Sequence, residues 1–134
     1  MIEAYSRNID VAADAAIPFN NIVIKKGCTA TLAAPASIQL NKAGIYMIAV
    51  DASIIPDATE DVSIQLSKNG ILQPQAFAIE DGTAAETTAL SFTTLVQVQQ
   101  NNTCSCITAP TTIQVINSTA GTFDIANITV TKIC

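Results

Sequence analysis

The sequence predicts an all-β fold, a β-sandwich of eight to ten antiparallel strands in a single domain over residues 1–134. β-Branched residues are abundant in the candidate strands, and they suit a pleated sheet better than a helix. Turn signals recur about every 8–12 residues, which is the spacing typical of a sandwich. No stretch places apolar residues at i, i+3, i+4 and i+7 between capping residues, and no linker or internal repeat divides the chain.

The first third of the chain predicts short strands. Residues 11–16 contain helix-forming alanines, but Pro18 follows them and leaves this segment as a loop or a single turn. Short strands follow, with Gly27 interrupting the first two and a turn at 41–44 after the third: residues 21–24, 29–32 and 37–40. Residues 45–55 then predict a long strand. It is apolar on both faces apart from Asp51 and Ser53, which indicates a central strand inside the sandwich.

A hairpin is predicted next. Residues 61–68 alternate polar and apolar side chains, with Val62, Ile64 and Leu66 on one face. Asn69-Gly70 follows, and this pair favours a type I′ turn because both central positions of that turn need positive φ. Ile71 begins the partner strand, in which Pro74 indicates a sheet edge or a bulge.

The remaining chain predicts three longer strands. A polar loop at 80–86 precedes a strand at 88–100, which Asn101-Asn102 ends. One face of that strand carries Leu90, Phe92, Thr94, Val96 and Val98. Further strands are predicted at 111–117 and, after an Ala120-Gly121 turn, at 122–133.

The composition indicates a subunit that hides surface in an oligomer. Hydrophobic residues make up 49% of the chain and charged residues 13%, whereas about 25% charged is usual. The net charge of −5, with Lys25-Lys26 as the single adjacent basic pair, argues against nucleic acid as a partner. Residues 1–7 lack the pattern of a signal peptide, and the longest near-apolar run, residues 44–55, is too short for a membrane helix.

Several classes of catalytic and binding site are excluded because the residues that they require are absent. The chain has no histidine, which removes the Ser-His-Asp and Cys-His systems and every zinc set that contains histidine. Tryptophan is also absent and aromatic residues make up 4%, so stacking platforms for bases or sugars are not expected. No Ser-x-x-Lys, Gly-x-Ser-x-Gly or glycine-rich phosphate motif occurs. We therefore expect no enzymatic activity, no cofactor and no catalytic or cofactor-binding residue.

Cysteines and clustered acids are the remaining candidates for a site. The four cysteines could hold zinc, form disulfides or stay free, and the order of preference is free and mostly buried thiols, then disulfides, then zinc. They are Cys28, Cys104, Cys106 and Cys134. The acidic clusters could hold a hard cation such as Ca²⁺, but their spacing does not match an EF-hand and solvated loops are the simpler interpretation. They are Asp57, Glu60 and Asp61, and then Glu80, Asp81 and Glu86. No metal ligand is assigned.

Three segments in order carry a resemblance. Residues 37–50 contain a turn and then Gly44-Ile45-Tyr46 leading into an apolar strand, residues 62–70 form a strand and tight hairpin, and residues 116–133 form a closing hairpin. Together they resemble the jelly-roll domain of tumour necrosis factor and of the globular heads of complement-type and spore-surface collagen-like proteins. The collagen-like stalk of that family is missing here, and aliphatic residues and Thr replace most of its aromatic residues.

The resemblance implies a homotrimer of jelly rolls that serves as a fibre head, a surface decoration or an adhesive module. Because no export signal is recognised, we interpret the chain as a bacteriophage head-fibre or capsid decoration protein, assembled in the host cytoplasm and located on the virion. Its expected partners are two further copies, other capsid or fibre proteins, and a receptor or glycan on the host cell. The alternatives are the trimeric head of a bacterial spore- or cell-surface adhesin and a secreted cytokine-like ligand.

Overall fold

Eleven β-strands lie in the part of the chain that a computed structural model describes, residues 1–99 and 111–134. In chain order they are β1 (Ile2–Val11), β2 (Ala15–Ala16), β3 (Asn21–Lys25), β4 (Ala30–Ala34), β5 (Ser37–Leu40), β6 (Gly44–Pro56), β7 (Asp61–Lys68), β8 (Ile71–Asp81), β9 (Thr88–Val98), β10 (Thr111–Asn117) and β11 (Gly121–Lys132). These ranges contain no helix, so no helix there could cross a membrane. The all-β prediction is confirmed.

The strands form two antiparallel sheets. Sheet A has the order β3-β1-β11-β6-β9, and sheet B has the order β4-β5-β10-β7-β8 with β2 paired to β10. Successive strands mostly belong to different sheets or to non-adjacent positions, so the chain crosses repeatedly between the two layers. The sheets pack face to face as a sandwich, which is the predicted jelly-roll architecture.

The core lies between the two sheets and follows from alternation along each strand. Every second residue of β6 and β10 is buried while its neighbours are more exposed, and β11 alternates in the same way on either side of its bulge. β7 differs because its residues Ser63 and Ser67 are buried as well as their apolar neighbours. Tyr46, Phe19 and Phe123 are the largest fully buried side chains. The hydroxyl of Tyr46 donates to the carbonyl oxygens of Lys42 at 2.8 Å and Thr29 at 3.2 Å, so this buried polar group is satisfied.

The long strand β6 is only partly as predicted. It pairs with β11 on one side and β9 on the other, so it is an inner strand of its sheet. Ile48 is fully buried, but Met47 and Asp51 are exposed, because only one face of β6 packs on the core. β6 is therefore a central strand as predicted, but its outward face lies at the surface of a single subunit and not inside the sandwich.

The predicted hairpin is present between β7 and β8. Asn69 and Gly70 have φ of 52° and 83°, as a type I′ turn requires. The Asn69 side-chain oxygen also accepts from the backbone N–H of Thr112 at 2.8 Å. β8 is the edge strand of sheet B, and a register shift lies between Gln65 and Ser67 on its partner, so both indications from Pro74 are found.

We expect Gly70→Ala to destabilise the protein by about 1 kcal/mol. No atom lies within 4 Å of the position that a Cβ would take, so the cost comes from the positive φ alone. Urea unfolding at fixed protein concentration measures this change. An unchanged midpoint would contradict the assigned turn.

Other elements differ from prediction at their limits. β1 was not predicted at all, although its ten residues make it one of the longer strands. Ala15–Ala16 form the short strand β2 within the predicted loop, and β8 continues through Asp81 into the predicted 80–86 loop. β9 ends at Val98, and the predicted stop at Asn101-Asn102 lies outside the described residues.

Candidate functional site

Loops collect at the two ends of the sandwich because the strands run along its length. One end carries the β3–β4, β5–β6 and β7–β8 connections, and the other carries the β6–β7, β8–β9 and β10–β11 connections. We call the first the lysine end and the second the carboxylate end, after the charged side chains described below.

The two predicted acidic clusters meet at the carboxylate end. The backbone N–H of Gly82 donates to the carbonyl of Glu60 at 3.1 Å, and that of Ala84 donates to the Thr59 hydroxyl at 3.0 Å. These bonds hold the two loops side by side. Among residues 1–99 and 111–134, no group of three or more carboxylates and thiols is arranged to hold a metal ion. The clusters are thus neighbours, but they do not converge on one point.

Asp61 and Asp81 oppose each other directly across β7 and β8. A hydrogen bond with Asp81 and the charge of Asp81 raise the pKa of Asp61 above its ordinary value, and both groups are exposed. Since like charges repel, the protonated form of the pair is favoured in the folded state. Both carboxylates belong to regular strands, so this is a repulsive surface pair of the fold.

We expect Asp61→Asn to stabilise the protein at neutral pH and to have no effect in strong acid. A raised folded-state pKa means that the wild type loses stability as pH rises from the ordinary aspartate range through the raised value. Thermal unfolding at several pH values measures the difference. The control is Asp57→Asn, which removes a charge from the same end and leaves the pair intact. Equal effects of the two variants at every pH would contradict this assignment.

The cysteines divide between described and undescribed parts of the chain. Cys28, in the β3–β4 loop, and Cys134, after β11, lie toward the lysine end, are exposed and are not joined to each other. Their exposure contradicts the expectation of mostly buried thiols, because both follow or precede strands rather than lying on an inward face. Cys104 and Cys106 lie outside the described residues.

One hydroxyl cluster has no general base. The Ser63 and Ser118 hydroxyls are 2.6 Å apart, and Ser118 also contacts the Thr119 hydroxyl and the Ser63 carbonyl. A serine nucleophile needs a base within hydrogen-bond reach. The hydrogen-bond partners of this cluster are hydroxyl and backbone groups, which instead join β7 to the β10–β11 turn.

The first apolar surface is the outward face of sheet A together with its edge strand β3, which we call the sheet-A face. Its exposed large apolar residues are Ile22, Val23, Ile24, Met47, Leu95 and Ile125. Leu95 is 56% exposed and lies opposite Met47 in the β6–β9 pairing. Small uncharged residues lie beside this pair, since Thr131 opposes Met47 and Thr93 opposes Ala49. Few charges lie near this pair, and the nearest charged residue along the outward face of β6 is Asp51.

The second apolar surface is the edge strand of sheet B, which we call the β8 edge. It contains Ile71, Leu72, Phe77 and Ile79, which are 42–69% exposed. β8 lies next to β9 where the two sheets meet, so the β8 edge and the sheet-A face point in different directions from one corner of the sandwich. An unpaired edge strand with apolar side chains is an association surface.

Sequence reasoning missed both surfaces. It found the low charge but could not say where the exposed apolar side chains lie. The run Ile22-Val23-Ile24 is the one local signal for an exposed apolar surface. Successive side chains of a strand point to opposite faces of the sheet, so three consecutive β-branched residues cannot all point into the core.

No protein-family model matches the chain, and no curated protein matches it in sequence. Solved structures match over almost the whole chain. The globular domain of zebrafish complement 1qA protein has a TM-score of 0.75 at 7% identity, covering 99% of this chain and 96% of that one. Eiger TNF from S. frugiperda has a TM-score of 0.74 at 12% identity, with 99% and 92% covered.

A phage structure also matches. The PRD1 vertex protein P5 has a TM-score of 0.62 at 18% identity, covering 99% of this chain and 96% of that chain. At sequence identities this low, the matches show a similarity of fold alone. The chain therefore has the jelly-roll fold of tumour-necrosis-factor-like and complement 1q-like domains, as the three sequence motifs indicated.

Proposed function

We propose that the chain is a structural and adhesive surface module that acts as a homotrimer, most specifically a head-fibre or capsid decoration protein of a bacteriophage. The observation that carries the proposal is the pair of apolar surfaces, the sheet-A face and the β8 edge, which one subunit exposes in two directions. A subunit this rich in exposed apolar side chains is stabilised by covering them.

The arrangement of the two surfaces favours a ring. Two different surfaces on one subunit make a heterologous contact, in which the β8 edge of one copy packs on the sheet-A face of the next. Such contacts close into a ring when the rotation between copies is suitable. The resemblance to trimeric jelly rolls implies that three copies close it.

The sheet-A face suits this role because burying its centre costs little desolvation free energy. Around Met47 and Leu95 the paired residues are threonines and alanine rather than charged side chains. Burying charge without a partner costs much more than burying methyl and hydroxyl groups. The single ion pair among the described residues, Arg7 with Asp124 at 3.9 Å, is exposed and lies further along β1 and β11.

A non-enzymatic role agrees with the chemistry on the surface. The chain has no histidine, and the carboxylates that come together do so on exposed loops and strand ends. The structural neighbours bear the names of complement, tumour-necrosis-factor and vertex proteins. We therefore assign the chain to binding and assembly.

The virion assignment has a direct test. Its support is the likeness to PRD1 vertex protein P5. Mass spectrometry of density-gradient-purified virus particles, from a culture that carries this coding sequence, should detect the chain in multiples of three per attachment site. Its absence from the particles and presence in the culture medium would instead support a secreted ligand, which the likeness to Eiger TNF favours.

A further inference from the structure

The charged side chains are sorted to opposite ends of the sandwich. The lysine end holds five of the six basic residues: Lys25, Lys26, Lys42, Lys68 and Lys132. The carboxylate end holds eight of the eleven acidic residues: Asp10, Asp14, Asp57, Glu60, Asp61, Glu80, Asp81 and Glu86. Glu3 lies one residue from the start of β1 at the lysine end and offsets part of its positive charge, and Arg7, Asp51 and Asp124 belong to the strands between the ends. The subunit is therefore strongly polarised along its length.

The positive charge of the lysine end is not neutralised within the described chain. The one ion pair among residues 1–99 and 111–134 is that of Arg7 and Asp124, and no lysine takes part in it. Lys25, Lys26 and Lys42 are exposed, and the Lys68 ammonium donates to the Gln97 carbonyl at 2.8 Å. Residues 100–110 contain no Asp, Glu, Lys or Arg in sequence. The charges of this end remain available to a partner.

The distance between the ends makes each one act separately. β6 has 13 residues, and a strand rises about 3.3 Å per residue, so the ends are on the order of 40 Å apart. Charges in solution are screened beyond about 10 Å at 0.1 M salt. An approaching molecule therefore responds to the end that it meets, and the net charge of −5 does not prevent attraction at the lysine end.

We propose that copies of this protein associate end to end, with the lysine end of one on the carboxylate end of the next. Both complementary surfaces are present on the same chain, and both are ends of the same sandwich, so their cross-sections match. Exposed ion pairs are individually weak and are screened by salt. The association is accordingly weak, multivalent and salt-dependent. This inference goes beyond the proposed function and does not require the trimer.

The first test is the mass in solution as a function of salt. Light scattering at about 20 mM salt should give at least about twice the mass found at about 300 mM, and the ratio should rise with protein concentration. The mass at high salt reports the ring, and the ratio reports end-to-end contact. Failure of the trimer and failure of this proposal are therefore separate results. A mass that is independent of salt overturns the proposal.

The second test reduces the charge of one end at a time. The variant K26E/K42E leaves three lysines against two introduced glutamates at the lysine end, so that end is nearly neutral. The variant E60K/E86K leaves six carboxylates against two introduced lysines at the carboxylate end, so that end keeps half of its negative charge. All four positions are exposed, so both variants should fold. Each variant alone should gain less mass at low salt than the wild type, and K26E/K42E should gain the least. An equimolar mixture, in which an unaltered lysine end meets an unaltered carboxylate end, should gain more mass than either variant alone. K26E/K42E protein that gains as much mass as the wild type, or a mixture that gains no more than the two variants do separately, overturns the proposal.

A third measurement separates self-association from another acidic partner. Poly-L-glutamate offers the lysine end carboxylates without the rest of this chain. At low salt it should compete with the association of the wild type and should bind K26E/K42E more weakly than the wild type. Binding of poly-L-glutamate by a wild type that does not self-associate would assign the lysine end to a different acidic protein, and would overturn end-to-end contact between copies.

Discussion

Replacing Ile48 by aspartate is expected to prevent folding. Ile48 is fully buried on the inward face of β6, between β11 and β9, and no lysine or arginine of residues 1–99 and 111–134 is buried there to pair with a carboxylate. An unpaired charge at such a place costs several kcal/mol, a large part of the roughly 5–15 kcal/mol by which domains are stable. Far-ultraviolet circular dichroism and the soluble yield measure the outcome.

The neighbouring position supplies the matched control. Met47 is 38% exposed and points away from the core from the same strand. Met47→Asp introduces the same group one residue away, and the subunit should keep its β-sheet spectrum. Normally folded Ile48→Asp protein, or equal loss of structure in both variants, would contradict the placement of the two faces of β6.

Replacing Leu95 by aspartate is expected to separate the proposed trimer into folded single subunits. Leu95 is 56% exposed on the edge strand β9, so the change leaves the core intact. In the proposed ring it would place a carboxylate in an apolar contact, where desolvation is costly. Sedimentation velocity should show one subunit mass with an unchanged β-sheet spectrum.

The control for this variant is Ala33→Asp. Ala33 is exposed on β4, at the opposite edge of sheet B from β8 and on the other side of the sandwich from Leu95. Ala33→Asp should keep the mass of the wild type. Dissociation by Ala33→Asp, or an intact oligomer with Leu95→Asp, would show that the contact lies on another surface.

Local patterns predicted much of the fold. β5 and β10 occupy the predicted residues, and the β7–β8 hairpin has the predicted turn. These predictions are correct because the alternation of side chains and the residue preferences of turns are local properties, and tertiary packing leaves them unchanged here. The order of the strands required the resemblance, since pairs such as β1 with β11 join residues from opposite ends of the chain.

Other features depend on tertiary placement. β1 alternates its inward residues Ile2, Ala4 and Ser6, but alanine and serine are weak strand formers, so the pattern carries little local signal. β6 shows the same limit differently. Its two apolar faces indicate burial on both sides. The sequence of the strand alone does not say whether the core or a second subunit covers the outer face.

The candidate surfaces show this limit most clearly. Composition predicted that the chain hides surface in an oligomer, yet the sheet-A face draws its residues from strands that are far apart in sequence. The polarisation of charge was also hidden, because the acidic clusters at 57–61 and 80–86 adjoin only when β7 pairs with β8. The lysines are scattered between positions 25 and 132 and collect at one end through the topology.

The mass of the wild-type protein in solution tests the central claim most directly. Multi-angle light scattering at micromolar concentration and about 300 mM salt removes end-to-end contacts and leaves the apolar contact in place. The proposed ring predicts three times the 14.0 kDa subunit mass. A monodisperse species of one subunit mass under these conditions would contradict the account.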